Sequence, residues 1–329
     1  MTSDDYYSRL KTLFGEEFKN FKGKNITILG CGGIGSFTAE FLARYGFNLH
    51  LVDFDLVEET NLSRQNFTFD DVGRPKTTSL KERIECVNPD VVVKESTIKF
   101  NSKNAENIVS GSDLVLDCFD NMDSKLLLND ICKKLNIPFI HMAAIERKGN
   151  ILFVGNDGPC LSCLYENPTE KEDKCDIVGV SSNIPTLTGL ISIDLIIDFF
   201  TGNKIENNLI RINLKTRDIR KLNLKKNKNC KTCNKNYRYL INNKNKKKYE
   251  IESLCEKNTF QVILNNCDSF KKKILNYKIL NKNKHFLKSR TCFNGNNIVI
   301  TFFNDGRCLI KGLSKMSSVK KYMETICGD

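Results

Sequence analysis

Apolar and polar positions follow two periods along this chain, and the switches between them mark its elements. Ile26 to Leu29 form an unbroken apolar or β-branched run, as in a strand buried on both faces, and lead straight into a cluster of glycines. Phe37, Phe41, Leu42 and Tyr45 then recur at helical spacing, and Leu49-His-Leu-Val-Asp53 reads as the next strand. The alternation continues through a strand at Val91 to Val93, a helix around Ala105 to Val109 and a buried strand from Leu114 to Cys118. An amphipathic helix from Leu126 to Leu135 and strands from Pro138 to Ile140 and Gly149 to Val154 follow. The first 22 residues read as helical. The pattern predicts an α/β fold: a Rossmann-like doubly wound sheet, mostly parallel, with an antiparallel second half.

The longest apolar run, Ile184 to Phe200, is interrupted by Asp194 and Asp198; it reads as too short and too polar to span a bilayer, hence as a core helix. Past Cys233 an Asn/Lys-biased stretch, ending in Asn242-Asn-Lys-Asn-Lys-Lys-Lys248, suggests a linker. Strands at Phe260 to Leu264, Asn297 to Phe303 and Gly306 to Lys311, a turn at Asn304-Asp-Gly306 and a closing helix through Val319, Tyr322 and Ile326 predict a small α+β domain. The expected division is 1–240, a linker at 241–250, and 251–329.

The glycines carry the first chemical signal. Gly30-x-Gly32-Gly33-x-Gly35 stands between strand and helix, where Gly30 permits a tight turn, Gly32 lets a ligand approach the backbone and Gly35 lets helix and strand pack closely. The helix N-terminus offers free N–H groups to a phosphate. Asp53 ends the next strand 18 positions after Gly35, where a ribose hydroxyl would sit. Taken alone, these residues fit a dinucleotide as well as a mononucleotide.

Downstream residues change that ligand. Asn61, Arg64 and Gln65 lie in a polar, loop-like segment. Pro75 starts a helix and places Lys76 in its first turn, which is unfavourable for the helix dipole unless an anion lies opposite. Asp120 and Asn121 stand just past the C-terminal end of a strand, where open α/β sheets bind ligands.

Fourteen cysteines without an opening Arg/Lys-flanked apolar segment point to a reduced, cytoplasmic setting, and so to metal ligands or a reactive thiol rather than disulfides. Cys160-x-x-Cys163 and Cys230-x-x-Cys233, separated by 66 residues, supply the four thiolates of a closed tetrahedral zinc site. Zinc there would fasten the two ends of a subdomain. Cys31, Cys86, Cys118 and Cys132 read as small core residues, and Cys175 as either a reactive thiol or an ordinary one. His50, His141 and His285 fall in no motif and read as structural. The net charge of +12 is concentrated between Lys215 and Lys248 in what reads as a solvated segment, so nucleic acid is not an expected partner.

Together, Gly30 to Gly35, Asp53-Phe-Asp55, Asn61-Leu-Ser-Arg64-Gln65, Pro75-Lys76, Asp117-Cys-Phe-Asp120-Asn121 and the two C-x-x-C pairs resemble the E1-like adenylyltransferases of the ThiF, MoeB and HesA type, over roughly residues 5 to 235. The resemblance implies an enzyme that binds ATP and Mg²⁺ and adenylates the C-terminal glycine of a small ubiquitin-fold sulfur-carrier protein ending in Gly-Gly, releasing pyrophosphate. It implies that Arg64 and Lys76 neutralise phosphate charge, that Asp120 holds Mg²⁺ and that Asp53 takes the ribose with Asp55, Asn61 and Gln65 nearby. It further implies that Arg9 reaches into the partner subunit of a homodimer, although the family's Arg-Gln is Arg9-Leu10 here. Cys175 falls where many members place a transfer cysteine, which would require a sulfur donor. Two other classes share some of these features: a nicotinamide-dependent oxidoreductase with structural zinc, and a binding scaffold that has lost turnover.

Overall fold

The computed structural model describes residues 3–165, 179–241, 249–253, 258–264, 268–282, 286–303 and 306–327. Cys175, His285 and the turn residues Asn304 and Asp305 lie outside them. The chain divides into two compact units, 1–242 and 243–329.

The first unit is built on eight strands: β1 (Asn25–Leu29), β2 (Asn48–Val52), β3 (Val93–Ser96), β4 (Leu114–Asp117), β5 (Phe139–Ile145), β6 (Lys148–Val154), β7 (Asn208–Asn213) and β8 (Asp218–Asn223). Their order is β3-β2-β1-β4-β5-β6-β7-β8. The first five pair in parallel and β5 to β8 antiparallel, as the hydrophobic pattern predicts. Every residue of β4 is buried, the expected consequence of helices covering both faces of a parallel sheet.

Two core clusters lie on the two faces. One gathers the helices Gly33–Tyr45 and Asn183–Thr201 with Tyr7, Phe18, Phe21 and Phe47. The other gathers the helices Ala105–Val109 and Met122–Leu135 with Cys160 and Cys230. The run from Ile184 to Phe200 is too short and too polar for a bilayer by sequence, yet the helix Asn183–Thr201, at 19 residues and mean hydropathy 1.5, is long and apolar enough to cross one. Its packing marks it as a core helix: Ile184, Ile193, Ile196 and Ile197 are buried, and a side chain at Gly189 would lie 2.1 Å from Thr38 Oγ1. Cys86, expected in the core, is exposed on the helix Lys76–Val87, and Cys118 is only half-buried; Cys31 and Cys132 are buried as expected.

The second unit is a six-stranded antiparallel sheet of β9 (Tyr249–Ser253), β10 (Thr259–Leu264), β11 (Lys278–Lys282), β12 (Phe286–Phe293), β13 (Asn296–Phe303) and β14 (Arg307–Lys311), in the order β11-β12-β13-β14-β10-β9. Phe260, Val262, Ile298, Ile300, Phe302 and Ile310 alternate onto one face and meet Phe270 and Ile274 of the helix Asp268–Ile274 and Val319, Met323 and Ile326 of the helix Met316–Cys327.

Candidate nucleotide site and four-cysteine centre

The glycine loop connects β1 to the helix Gly33–Tyr45 at the C-terminal end of the parallel strands. Gly30 sits at φ +96°, and a Cβ there would lie 2.7 Å from the Cys118 carbonyl oxygen; at Gly35 it would lie 1.9 Å from the Gly30 carbonyl oxygen. Both positions therefore exclude any side chain. Gly32, where a Cβ would approach nothing nearer than Gln65 Nε2 at 3.8 Å, leaves backbone open beside the helix start, which no side chain caps. Gly33 packs against the Arg64 carbonyl and Pro185.

Asp53 braces this loop. Its Oδ2 accepts from the Cys31 backbone N–H at 2.7 Å and its Oδ1 from that of Asp55 at 2.8 Å. Burial raises its carboxyl above the usual range, while the Lys76 ammonium opposes that rise. Bracing the loop is a task the sequence reading did not assign to Asp53.

Lys76 is 6% exposed and is the first residue of its helix. The anion that offsets the helix dipole in this structure is Asp55, whose Oδ2 lies 3.0 Å from the Lys76 Nζ. Burial alone would lower the amine; Asp55 and Asp53 outweigh it, with a contribution from Asp120, and hold it above its ordinary value. Lys76 is therefore an ammonium at any physiological pH, and Asp120 lies within its electrostatic reach.

The polar segment folds as a short 3₁₀ turn, Glu59–Asn61, and is tied to the glycine-loop helix: Ser36 Oγ accepts from the Asn66 N–H at 3.0 Å and Glu40 Oε2 from the Asn66 amide at 2.8 Å. Asn61 is buried and accepts the Glu58 N–H, and Arg64 donates to the Thr60 carbonyl at 2.7 Å. Gln65 is buried beside Gly32, and its Oε1 has no hydrogen-bond partner among the described residues. A buried amide oxygen without a donor loses free energy unless a ligand or water supplies one.

At the end of β4, Asp120 is exposed and accepts from the Asn121 amide, while Asn121 caps the helix Met122–Leu135 by accepting the Ser124 N–H at 2.9 Å. The loop is held from below by Asp117, which is fully buried. Its Oδ1 accepts from Lys125 Nζ at 3.1 Å and from the Phe119 N–H at 3.2 Å, and its Oδ2 pairs with His141 Nδ1 at 2.6 Å. Despite burial, Lys125 and His141 keep the Asp117 carboxyl below its usual range. The sequence reading missed Lys125; its only trace was a lysine at an inward position of an amphipathic helix.

The two C-x-x-C pairs converge. Neighbouring sulfurs are 3.5 to 3.9 Å apart, and all four lie within 4.8 Å of one another. Tetrahedral Zn–S bonds of about 2.3 Å imply S···S separations of about 3.8 Å, so the donor set fits zinc, and the spacing is far too long for disulfides. Asn129 and Asp130 of the helix Met122–Leu135 join the two loops: Asn129 Oδ1 accepts the Leu161 N–H at 2.9 Å, the Asn129 amide donates to Ser162 Oγ at 3.0 Å, and Thr232 donates to Asp130 at 2.7 Å. Ser162 and Thr232 meet at 3.0 Å. Side chains of one helix therefore bring together ligands separated by 66 residues.

Arg9 is exposed on the helix Ser8–Phe14. Its expected site of action is on a partner subunit; Cys175 lies outside the described residues.

A glycine loop at the strand ends, a buried lysine held between carboxylates and an acid just past the adjoining strand define a nucleotide-binding α/β protein. The ThiF family model matches residues 7–232, and the chain belongs to that family. It is 36% identical over 170 residues to the SAMP-activating enzyme E1 of Haloferax volcanii, a match covering 50% of this chain and 63% of that protein. It is 30% identical over 238 residues to the molybdopterin-synthase adenylyltransferase of Escherichia coli strain K12, covering 69% of this chain and 95% of the relative. The fold matches the crystal structure of E. coli MccB with AMPCPP and MccA at TM-score 0.63 and 23% identity, over 70% of this chain and 75% of that one. The chain thus spans under two thirds of the length of the Haloferax volcanii protein.

Proposed function

We propose that this protein is an ATP-dependent adenylyltransferase that activates the C-terminal glycine carboxylate of a small ubiquitin-fold sulfur carrier, for cofactor synthesis or RNA thiolation in the cytoplasm. The carboxylate oxygen attacks the α-phosphorus of ATP, the bond from that phosphorus to the α,β-bridging oxygen breaks, and pyrophosphate leaves with the electron pair. No general base is needed, because the attacking carboxylate is already ionised. The difficulty is charge: an anion approaches a polyanion, and negative charge grows on the leaving group. Lys76, held as an ammonium, and Arg64 are the groups that neutralise it.

The observation that carries this reading is the convergence of the glycine loop, the Lys76–Asp55 pair and Asp120 at the ends of β1, β2 and β4. The loop backbone would receive the α-phosphate, Asp53 and Asn61 would take the ribose side, and Gln65 would offer its Oε1, without a partner among the described residues, to a donor on the nucleotide or its water. Asp120 and Asp55 offer the hard oxygens that would hold Mg²⁺, whose charge would offset that of the phosphates. Zinc held by Cys160, Cys163, Cys230 and Cys233 would be structural, because four thiolates would leave no open position for a substrate.

The working unit is a homodimer in which Arg9 serves the partner's site. Half-buried Leu187, Leu190, Ile191 and Leu195 along the 183–201 helix are the apolar side chains available to such an interface. Cys175 accepts the activated acyl group or receives sulfur from a persulfide donor, and a thioester or persulfide on its tryptic peptide would be seen by mass spectrometry. The nicotinamide alternative has no support in the family, and a scaffold without turnover does not explain an intact phosphate-handling set. Labelled pyrophosphate should exchange into ATP only in the presence of a carrier ending in Gly-Gly; no exchange with any such carrier overturns the proposal.

A further inference from the structure

The chain is electrically divided. Residues 1–214 hold 23 Lys or Arg against 31 Asp or Glu, a net of −8, whereas residues 215–329 hold 28 against 8, a net of +20. A lysine bias running through the whole sequence would not leave its first two thirds acidic. The second unit, 243–329, contributes 18 Lys or Arg against 7 Asp or Glu.

Part of this charge is fixed on regular strands rather than on a solvated segment. The second unit's helices pack on one face of its sheet, and the other face carries exposed cations in register. Lys278 of β11 stands directly opposite Arg290 of β12, both exposed. Like charges directly opposite one another across strands repel and are unfavourable unless an anion lies between them. Lys288, two residues along β12 and on the same face, is about 6.7 Å away. Lys311 of β14 pairs with Val299, which pairs with Arg290, so it lies in the same row two strands over. Glu250 and Glu252, in register with Ile263 and Gln261, fall on β9 at the opposite edge.

We propose that this face of the second unit binds nucleic acid through its phosphate backbone. Its apolar members do not suit a protein partner that needs exposed aromatic anchors: Phe303 is buried beneath the Arg307 guanidinium at 4.9 Å, and Phe286 is half-buried against it at 6.1 Å. The same burial denies bases a stacking platform, so recognition is electrostatic and independent of sequence. The cations stand on the strands of a sheet and not on the apolar-faced helix that inserts into a membrane surface.

The test uses the full-length protein with 5′-labelled 20-nucleotide single-stranded RNA and DNA in anisotropy titrations from 50 to 250 mM salt. Four phosphate contacts predict a slope of log K against log salt near −3, at about 0.7 per contact. K288E/R290E should weaken binding at least about tenfold and flatten that slope, with melting temperature and pyrophosphate exchange unchanged. K225E/K226E, in the basic segment of the first unit, should have the smaller effect. Absence of binding at 50 mM salt, unchanged affinity in K288E/R290E, or loss confined to K225E/K226E overturns the proposal. So does displacement of the oligonucleotide by poly-glutamate or by phosphatidylserine vesicles at equal charge concentration, which would assign the face to an acidic protein or a membrane.

Discussion

The first unit buries Asp53, Lys76, Asp117, Lys125, Asp130 and His141, while in the second Arg307 is the one buried charged residue among those described. The same chain thus places ionisable groups in two ways. Buried charge costs free energy unless it is paired and hydrogen-bonded, so an interior with several such groups keeps them for a task or for the network around them. The second unit has the interior of a plain structural domain, and its charge is on its surface. Function in the first unit should therefore be sensitive to single buried charges, and function in the second to the sum of exposed ones.

The sharpest way to break this contrast is Lys76→Ala. It removes the cation that offsets phosphate charge, and carrier-dependent pyrophosphate exchange should fall by roughly 10²–10³, as when a single preorganised stabiliser of developing charge is lost. Far-UV circular dichroism should stay native. Exchange within threefold of wild type would show that Lys76 serves only to neutralise Asp55. Next in size is Cys230→Ser. The variant should bind no zinc by atomic absorption and melt roughly 6–12 °C lower, equivalent to about 3 kcal/mol for a domain of this size. Equal melting temperatures would rule out a structural metal.

A smaller effect follows from histidines. Burial and Lys94 push the His50 pKa down to about 4, and burial with Lys125 also lowers that of His141. In the unfolded chain both titrate near about 6.5, so between that pH and about 4 the unfolded state binds more protons and stability falls as pH falls. Melting temperature should drop from pH 7.5 to 5, and His50→Gln should shallow the slope; a flat profile for wild type contradicts the burial of neutral histidines. The smallest effect is Lys288→Glu, an exposed change on β12 that should alter melting temperature and exchange by less than about 0.5 kcal/mol. A larger loss of exchange would tie the second unit to the chemistry of the first.

The two units also differ in how much of them could be read from sequence. Continuous apolar runs at Ile26 and Leu114 make parallel strands legible, and Gly30 to Gly35 are legible because their conformations exclude side chains. The cysteine pairs announce a metal, but the means of joining them, Asn129, Asp130, Ser162 and Thr232, are ordinary polar residues with no spacing to betray them. Lys125 is similarly silent. Asp55 takes the place beside Lys76 that the sequence reading gave to a phosphate, because a cation in a first helical turn says an anion is near but not which one. In the second unit β9, β11 and β12 are not legible: β9 adjoins the Asn/Lys-biased stretch and carries only two apolar residues, β12 is mixed with Lys288, Ser289, Arg290 and Thr291, and β11, with lysine and asparagine, is exposed throughout.

The central claim is that the first unit transfers an adenylyl group to a carrier's C-terminal carboxylate. Intact mass spectrometry of a carrier ending in Gly-Gly, incubated with the protein, ATP and Mg²⁺, tests it directly. The account predicts a carrier species heavier by one adenylyl group, absent with Lys76→Ala and reversed by added pyrophosphate. A carrier of unchanged mass under conditions where the protein binds ATP, or tight binding of NADH with none of ATP, would contradict it.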